Sequence, residues 1–154
     1  ESDRDDILAA DIERIIGNHS FYSVYDIVNV EVKDKNLMLT GAVTVPYKKT
    51  SFVQAIRKKM GDSLKEIINK IEVLPPSAND DKIRYLIARK IYNDVRLLRY
   101  STQKWPYPIH IIVRNGHVEL VGTVKNMMDK RLIESKARDV NGLISIRNNL
   151  EIVS

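Results

Sequence analysis

At 154 residues, 44% hydrophobic and 29% charged, the chain has room for one ordinary domain or two small ones and is too apolar to be disordered. It has no cysteine, which excludes disulfide staples and thiolate metal sites. No apolar run approaches the roughly 20 residues of a membrane-spanning helix. The net charge of +5 is uneven: residues 1–74 hold 11 Lys/Arg against 12 Asp/Glu, residues 75–154 hold 14 against 8, and an anionic partner would therefore meet the second half.

The acidic start, Glu1 to Asp6, is the opposite of a basic, then apolar, signal peptide. Ser2 followed by Asp5 resembles a capping box. Leu8, Ile12, Ile15 and Ile16 then recur at helical spacing as far as Gly17. Residues 18–26 carry Phe21, Tyr22 and Tyr25 without a period and read as a loop. A hairpin follows in which Val28, Val30 and Val32 face Gly41, Leu39 and Leu37 across the turn Asp34-Lys35, where a lysine with positive φ is mildly strained.

Pro46 suits a helix's first turn. Val53, Ile56 and Met60 give that helix its apolar stripe, with Lys48, Lys49, Arg57, Lys58 and Lys59 mostly elsewhere. Gly61-Asp62 ends it, and alternation over Ile67, Asn69, Ile71 and Val73 predicts a closing strand. The tandem prolines Pro75-Pro76 open a stiff linker over 75–79.

The same order of parts then returns. Asn79, Asp80 and Asp81 open a helix with Ile83, Leu86, Ile87 and Ile91 inward, and a longer loop runs from Arg96 to Pro108. The next hairpin closes on Asn115-Gly116, the preferred pair for a two-residue turn, and sets Val113, Ile111 and Ile109 opposite Val118, Leu120 and Gly122. Its register copies the first hairpin, and a one-residue slip in either would scatter the apolar face. Asn126 can cap a helix with Leu132, Ile133, Ala137 and Val140 inward, Asn141-Gly142 ends it, and residues 143–153 give the last strand.

The chain thus reads as one unit built twice, over 1–74 and 80–154. Each unit is α+β, ordered helix, strand, strand, helix, strand, with a three-stranded mixed sheet under two helices. At roughly 75 residues each, such units have small cores, and Leu120→Ala should cost ~2–5 kcal/mol.

These residues resemble the BON (bacterial OsmY and nodulation) domain. Its pattern is carried in the second repeat by Asn115, Gly116, Val118, Leu120, Gly122, Val124, Ala137, Gly142, Asn148 and Ile152. The first repeat carries it through Leu37, Leu39, Gly41, Val43, Ile56, Asn69 and Val73, with Lys35 where the turn glycine is expected. The resemblance implies two tandem αββαβ domains. It also implies a non-catalytic protein of the bacterial periplasm and cell envelope, similar to osmotically inducible proteins, attached to phospholipid or to envelope proteins.

The residues themselves give no reason to expect an enzyme or a cofactor. There is no phosphate loop, dinucleotide fingerprint or nucleophile elbow. His110 and His117 share an outward face of the hairpin without a third metal ligand, and a solvated strand face accounts for them. Gly41 and Gly122 are read as sites of close helix packing or of a strand bend.

Six of the ten aromatic residues fall in the two equivalent loops. In the first, Phe21, Tyr22 and Tyr25 are read as a plug for the end of the sheet. In the second, Tyr100, Trp105 and Tyr107 stand beside Arg96, Arg99 and Lys104, the combination that a peripheral contact with an anionic phospholipid membrane needs. A periplasmic protein-interaction or chaperone-like module is the alternative. Nucleic acid is not expected as a partner, because neither a GXXG loop nor aromatic strand centres are present.

Overall fold

The computed structural model describes residues 2–101 and 107–153, with nothing said of the Ser2 side chain. Its contacts divide the chain into two compact units, Glu1–Leu74 and Pro75–Ser154.

In the first unit, α1 (Ser2–Gly17) precedes the hairpin of β1 (Ile27–Lys33) and β2 (Asn36–Val43), and α2 (Pro46–Met60) leads to β3 (Ile67–Asn69) and β4 (Glu72–Val73). Strands β1 and β2 are antiparallel, with Val32, Val30 and Val28 opposite Leu37, Leu39 and Gly41 as the alternation predicts. Strands β3 and β4 run parallel to β2. They replace the single closing strand expected over 67–73, although the N–H of Lys70, between them, still bonds the Leu39 carbonyl at 2.8 Å.

The expected cap, Ser2, is already helical in its backbone, and its side chain lies outside the described residues. Asp5 acts across the unit instead, where its carboxylate accepts the N–H groups of Asp34 and Lys35 at 3.1 and 3.4 Å and holds the hairpin turn to the helix. Both turn residues have positive φ, 53° and 67°, as a two-residue hairpin with this twist requires.

The core of this unit gathers Ile12 and Ile16 from α1, Leu37, Leu39 and Val43 from β2, and Phe52 and Ile56 from α2. The stripe on α2 therefore centres on Phe52, while Val53 packs at its margin. Lys48 is buried as well, against the expectation that the lysines of this helix lie on its outer face.

The second unit repeats the plan with α3 (Ala78–Tyr92), β5 (Ile109–Arg114), β6 (His117–Val124), α5 (Met127–Arg138) and β7 (Ser145–Ile152). Helix α3 opens one residue before Asn79 and is capped by Ser77, which accepts the N–H of Asp80, and the predicted cap Asn126 accepts the N–H of Asp129. Val113, Ile111 and Ile109 face Val118, Leu120 and Gly122, and β7 continues the sheet parallel to β6. Part of the segment read as loop is helical: a 3-10 turn over Val95–Leu97 runs into α4 (Leu98–Ser101), with the Asp94 carboxylate accepting the Arg96 N–H at the start.

Asp80 repeats the work of Asp5 in tighter form, accepting the N–H groups of Asn115 and Gly116 at 2.7 and 2.9 Å. Gly41 and Gly122 are required for a reason different from helix packing. Both have positive φ, and a Cβ at either would lie 2.0 Å from a backbone carbonyl oxygen, of Ile27 and Pro108 respectively. The close approach is made by the entry to the neighbouring strand.

Candidate functional site

In each unit the segment before the first strand meets the start of the second helix at one corner of the sheet. The backbone N–H just past the second strand needs an acceptor there, and the two units supply it differently.

In the first unit the acceptor is Asp26, fully buried at the end of the aromatic loop. Its Oδ1 takes the N–H and hydroxyl of Thr44 at 2.9 and 3.3 Å, and its Oδ2 takes the N–H and hydroxyl of Ser23 and the Lys48 ammonium at 2.7 Å. A buried carboxylate so fully bonded is structural. The aromatic residues also pack inward in part. His19 and Tyr22 stand edge-on to Phe52, with centroids 5.1 and 5.9 Å away, and burial lowers the His19 pKa. Phe21 reaches the surface, edge-on to exposed Tyr47 at 4.9 Å.

In the second unit the acceptor is Tyr100. Its phenol takes the Lys125 N–H at 3.0 Å and donates to Asp129 Oδ2 at 2.6 Å. Burial, then the bond to Asp129, pushes the Tyr100 pKa up. Tyr100 is only 4% exposed, so this residue, proposed from sequence as a surface contact, serves the interior. Its bond fastens α4 to the start of α5.

Of the other residues singled out from sequence, Arg96 and Arg99 lie against different carboxylates. Arg96 is exposed and grips Asp94 through Nε and Nη2 at 3.0 and 2.7 Å. This side-chain bond comes first in holding the Asp94 carboxyl well below the usual carboxylate range, and Lys136 adds to it from 3.1 Å. Arg99 is exposed, with its guanidinium 3.8 Å from Asp129. Tyr107 is half-buried, edge-on to His110 at 6.1 Å. Lys104 and Trp105 lie outside the described residues. The structural residues Asn115, Gly116 and Gly142 sit at turns with positive φ, in keeping with their turn chemistry.

His110 is a correction. It is buried, as is Ile112 on the same face of β5, so that part of the strand is not a solvated surface. His117 is exposed and bonds Ser145 Oγ at 2.7 Å. No cluster of three or more His, Asp or Glu side chains suited to a metal occurs among the described residues.

Sequence reasoning missed the apolar side chains exposed beside Arg99. Val95 is 85% exposed, Leu98 58%, Met127 45% and Met128 78%. Val95 and Leu98 are three apart in a helical run and project from one side. The two methionines occupy the first turn of α5, beside the acid that holds Tyr100. The available signal was Asn126: once it is taken as the cap, Ile133 and Ala137 fix the inner face and leave Met128 outside.

One edge of each sheet carries a matching device. By alternation from Val153, whose N–H bonds Val124 in β6, the N–H of Leu150 points to the free edge of β7. Asn148 Oδ1 takes it at 3.2 Å, while Asn148 Nδ2 bonds the Lys130 carbonyl and Glu134. That bond, followed by one from Arg138, lowers the Glu134 pKa. Asn69 does the same for the Ile71 N–H and the Lys49 carbonyl.

The family model for the BON domain matches the chain twice, over residues 4–75 and 80–154. No curated protein matches. Among solved structures, the chain is similar to the C-terminal domain of CdsD, the structural protein of the type III secretion system of Chlamydia trachomatis. That match has 12% identity and a TM-score of 0.39, and covers 97% of this chain and 67% of that one. A second CdsD structure gives 10% identity and a TM-score of 0.37, with 97% and 63% covered. Neither likeness bears on what this chain binds.

Proposed function

Because this chain belongs to the BON domain family, whose domains occur in membrane- and envelope-associated proteins and are generally non-catalytic, we propose that it is a bacterial periplasmic protein that attaches weakly to anionic phospholipid, chiefly through its second unit. A part in osmotic or envelope stress belongs to the same proposal. No helix among the described residues is long and apolar enough to cross a membrane.

The observation that carries this reading is the exposure of Leu98 on α4 and of Met127 and Met128 in the first turn of α5, two elements joined by Tyr100 and Asp129, with the cations Arg99 and Lys125 next to them in the chain. Apolar side chains can enter the boundary between headgroups and acyl chains while the cations meet lipid phosphates. At ~1 kcal/mol per cation near an anionic surface, with modest apolar insertion added, attachment is reversible and salt-sensitive.

Co-sedimentation with phosphatidylcholine vesicles, with and without phosphatidylglycerol, tests the proposal. Binding should require the anionic lipid, fall at high salt, and be lost when Leu98 and Met128 are both changed to Ser. Equal binding to neutral vesicles, or an unaffected double variant, would sink it. The alternative, a periplasmic module that binds polypeptide, has less support at β7 and the β3–β4 edge, because Asn148 and Asn69 each occupy an N–H that an added strand would need.

A further inference from the structure

The carboxylates on α3 and α5 are engaged within the second unit. Asp80 holds the hairpin turn, Asp81 pairs with Arg84 at 2.6 Å, Asp129 takes the Tyr100 phenol, and Glu134 bonds Arg138 and Asn148. Asp94, just past α3, is shared by Arg96 and Lys136. Lys82, Arg89, Lys90 and Arg131 have no such acid partner among the described residues. Two of these cations line a groove between the end of α3 and α5, together with Leu86, Val95 and Lys136. Asn93 and the paired Asp94 complete the lining, so three cations outnumber one acid around the apolar Leu86 and Val95.

The complementary surface is on α1, which has five acidic residues against two basic ones. Asp3, Asp6, Ile7 and Ala10 lie on its exposed side at helical spacing, with Ile7 63% exposed. Asp3 and Asp6 have no hydrogen bond or ion pair among the described residues. The stripe from Asp3 to Ala10 and the groove wall from Leu86 to Asn93 each span seven helical steps, about 10 Å.

We propose that α1 of one copy docks in the groove between α3 and α5 of another, with Ile7 against Leu86 and Val95 and with Asp3 and Asp6 facing Arg89 and Lys90. Donor and acceptor surfaces differ and each copy carries both, so pairing brings two or more copies together. Exposed ion pairs around one small apolar contact make it weak and salt-sensitive.

Sedimentation equilibrium of the full chain, without lipid, tests this independently of the membrane reading. At about 20 mM salt, where the Debye length is long, the weight-average mass should climb above the 17.7 kDa of one chain as concentration rises, and it should return to that value near 500 mM. Asp3→Lys with Asp6→Lys, or Arg89→Glu with Lys90→Glu, should each weaken self-association at least tenfold. An equimolar mixture of the two variants should restore it, since each then offers the charge the other lacks. All four side chains are exposed, and circular dichroism checks that the variants stay folded. A single-chain mass at every concentration in low salt, indifference to either variant, or failure of the mixture to associate would overturn the proposal.

Discussion

The corner of the sheet is built twice, and the two versions differ in charge. In the first unit the N–H of Thr44 ends on Asp26, which also holds the Lys48 ammonium. In the second, the equivalent N–H, of Lys125, ends on the Tyr100 phenol, which leans on Asp129. Lys48 and Asp129 occupy the same helical position, so the acid and its partner have changed sides. The fold demands a buried acceptor at this point and leaves the residue type open. The surfaces at the two corners differ too: the first exposes the aromatic pair Phe21 and Tyr47, whereas in the second Tyr100 arrives on a helical turn that carries Leu98 and Arg99 outward.

The largest effect should come from a feature on which the units agree. Gly41→Val and Gly122→Val each force a side chain onto a carbonyl oxygen at a positive φ, and each should destabilise its own unit by more than ~4 kcal/mol. Hydrogen exchange resolved by unit would check this, and a mild effect in either would break the equivalence of the hairpins.

The corners should then separate. Lys48→Met removes one partner of a buried ion pair and should cost about 3 kcal/mol in the first unit, moderated by the other donors to Asp26. Tyr100→Phe leaves the Lys125 N–H and Asp129 short of a bond and should cost about 1–3 kcal/mol in the second. Denaturant titration followed by the same exchange measurement would rank them.

Alkaline pH sharpens the contrast. The Tyr100 pKa is raised in the folded state, so its contribution to stability is complete below the ordinary tyrosine value of 10.0 and is lost as pH rises from there through the folded value. The second unit should weaken in that range, and Tyr100→Phe should abolish this part of the dependence. The smallest expected change is a gain. Lys35→Gly relieves a positive φ that the second hairpin meets with Gly116, and should stabilise the first unit by about 0.5–1 kcal/mol in thermal unfolding.

Most of the fold was legible because its signals are local. Alternation, a turn pair and a repeated glycine lie within seventeen consecutive residues of each hairpin, and the observed register follows them residue by residue. The candidate site was less legible. Tyr100 stands among cations in sequence and looks like part of a surface cluster, yet its hydroxyl is held by a carboxylate 29 residues away. Lys48 resembles its solvated neighbours until Asp26, 22 residues earlier, is brought against it.

The sequence by itself determined that the chain is one αββαβ unit made twice, and where each hairpin turns, because side-chain period and turn chemistry act between near neighbours. Only the tertiary structure decided which charges are spent inside each unit and which remain at the surface. A carboxylate finds its partner through chain closure across tens of residues, and the balance between desolvation and pairing is settled when that closure is made.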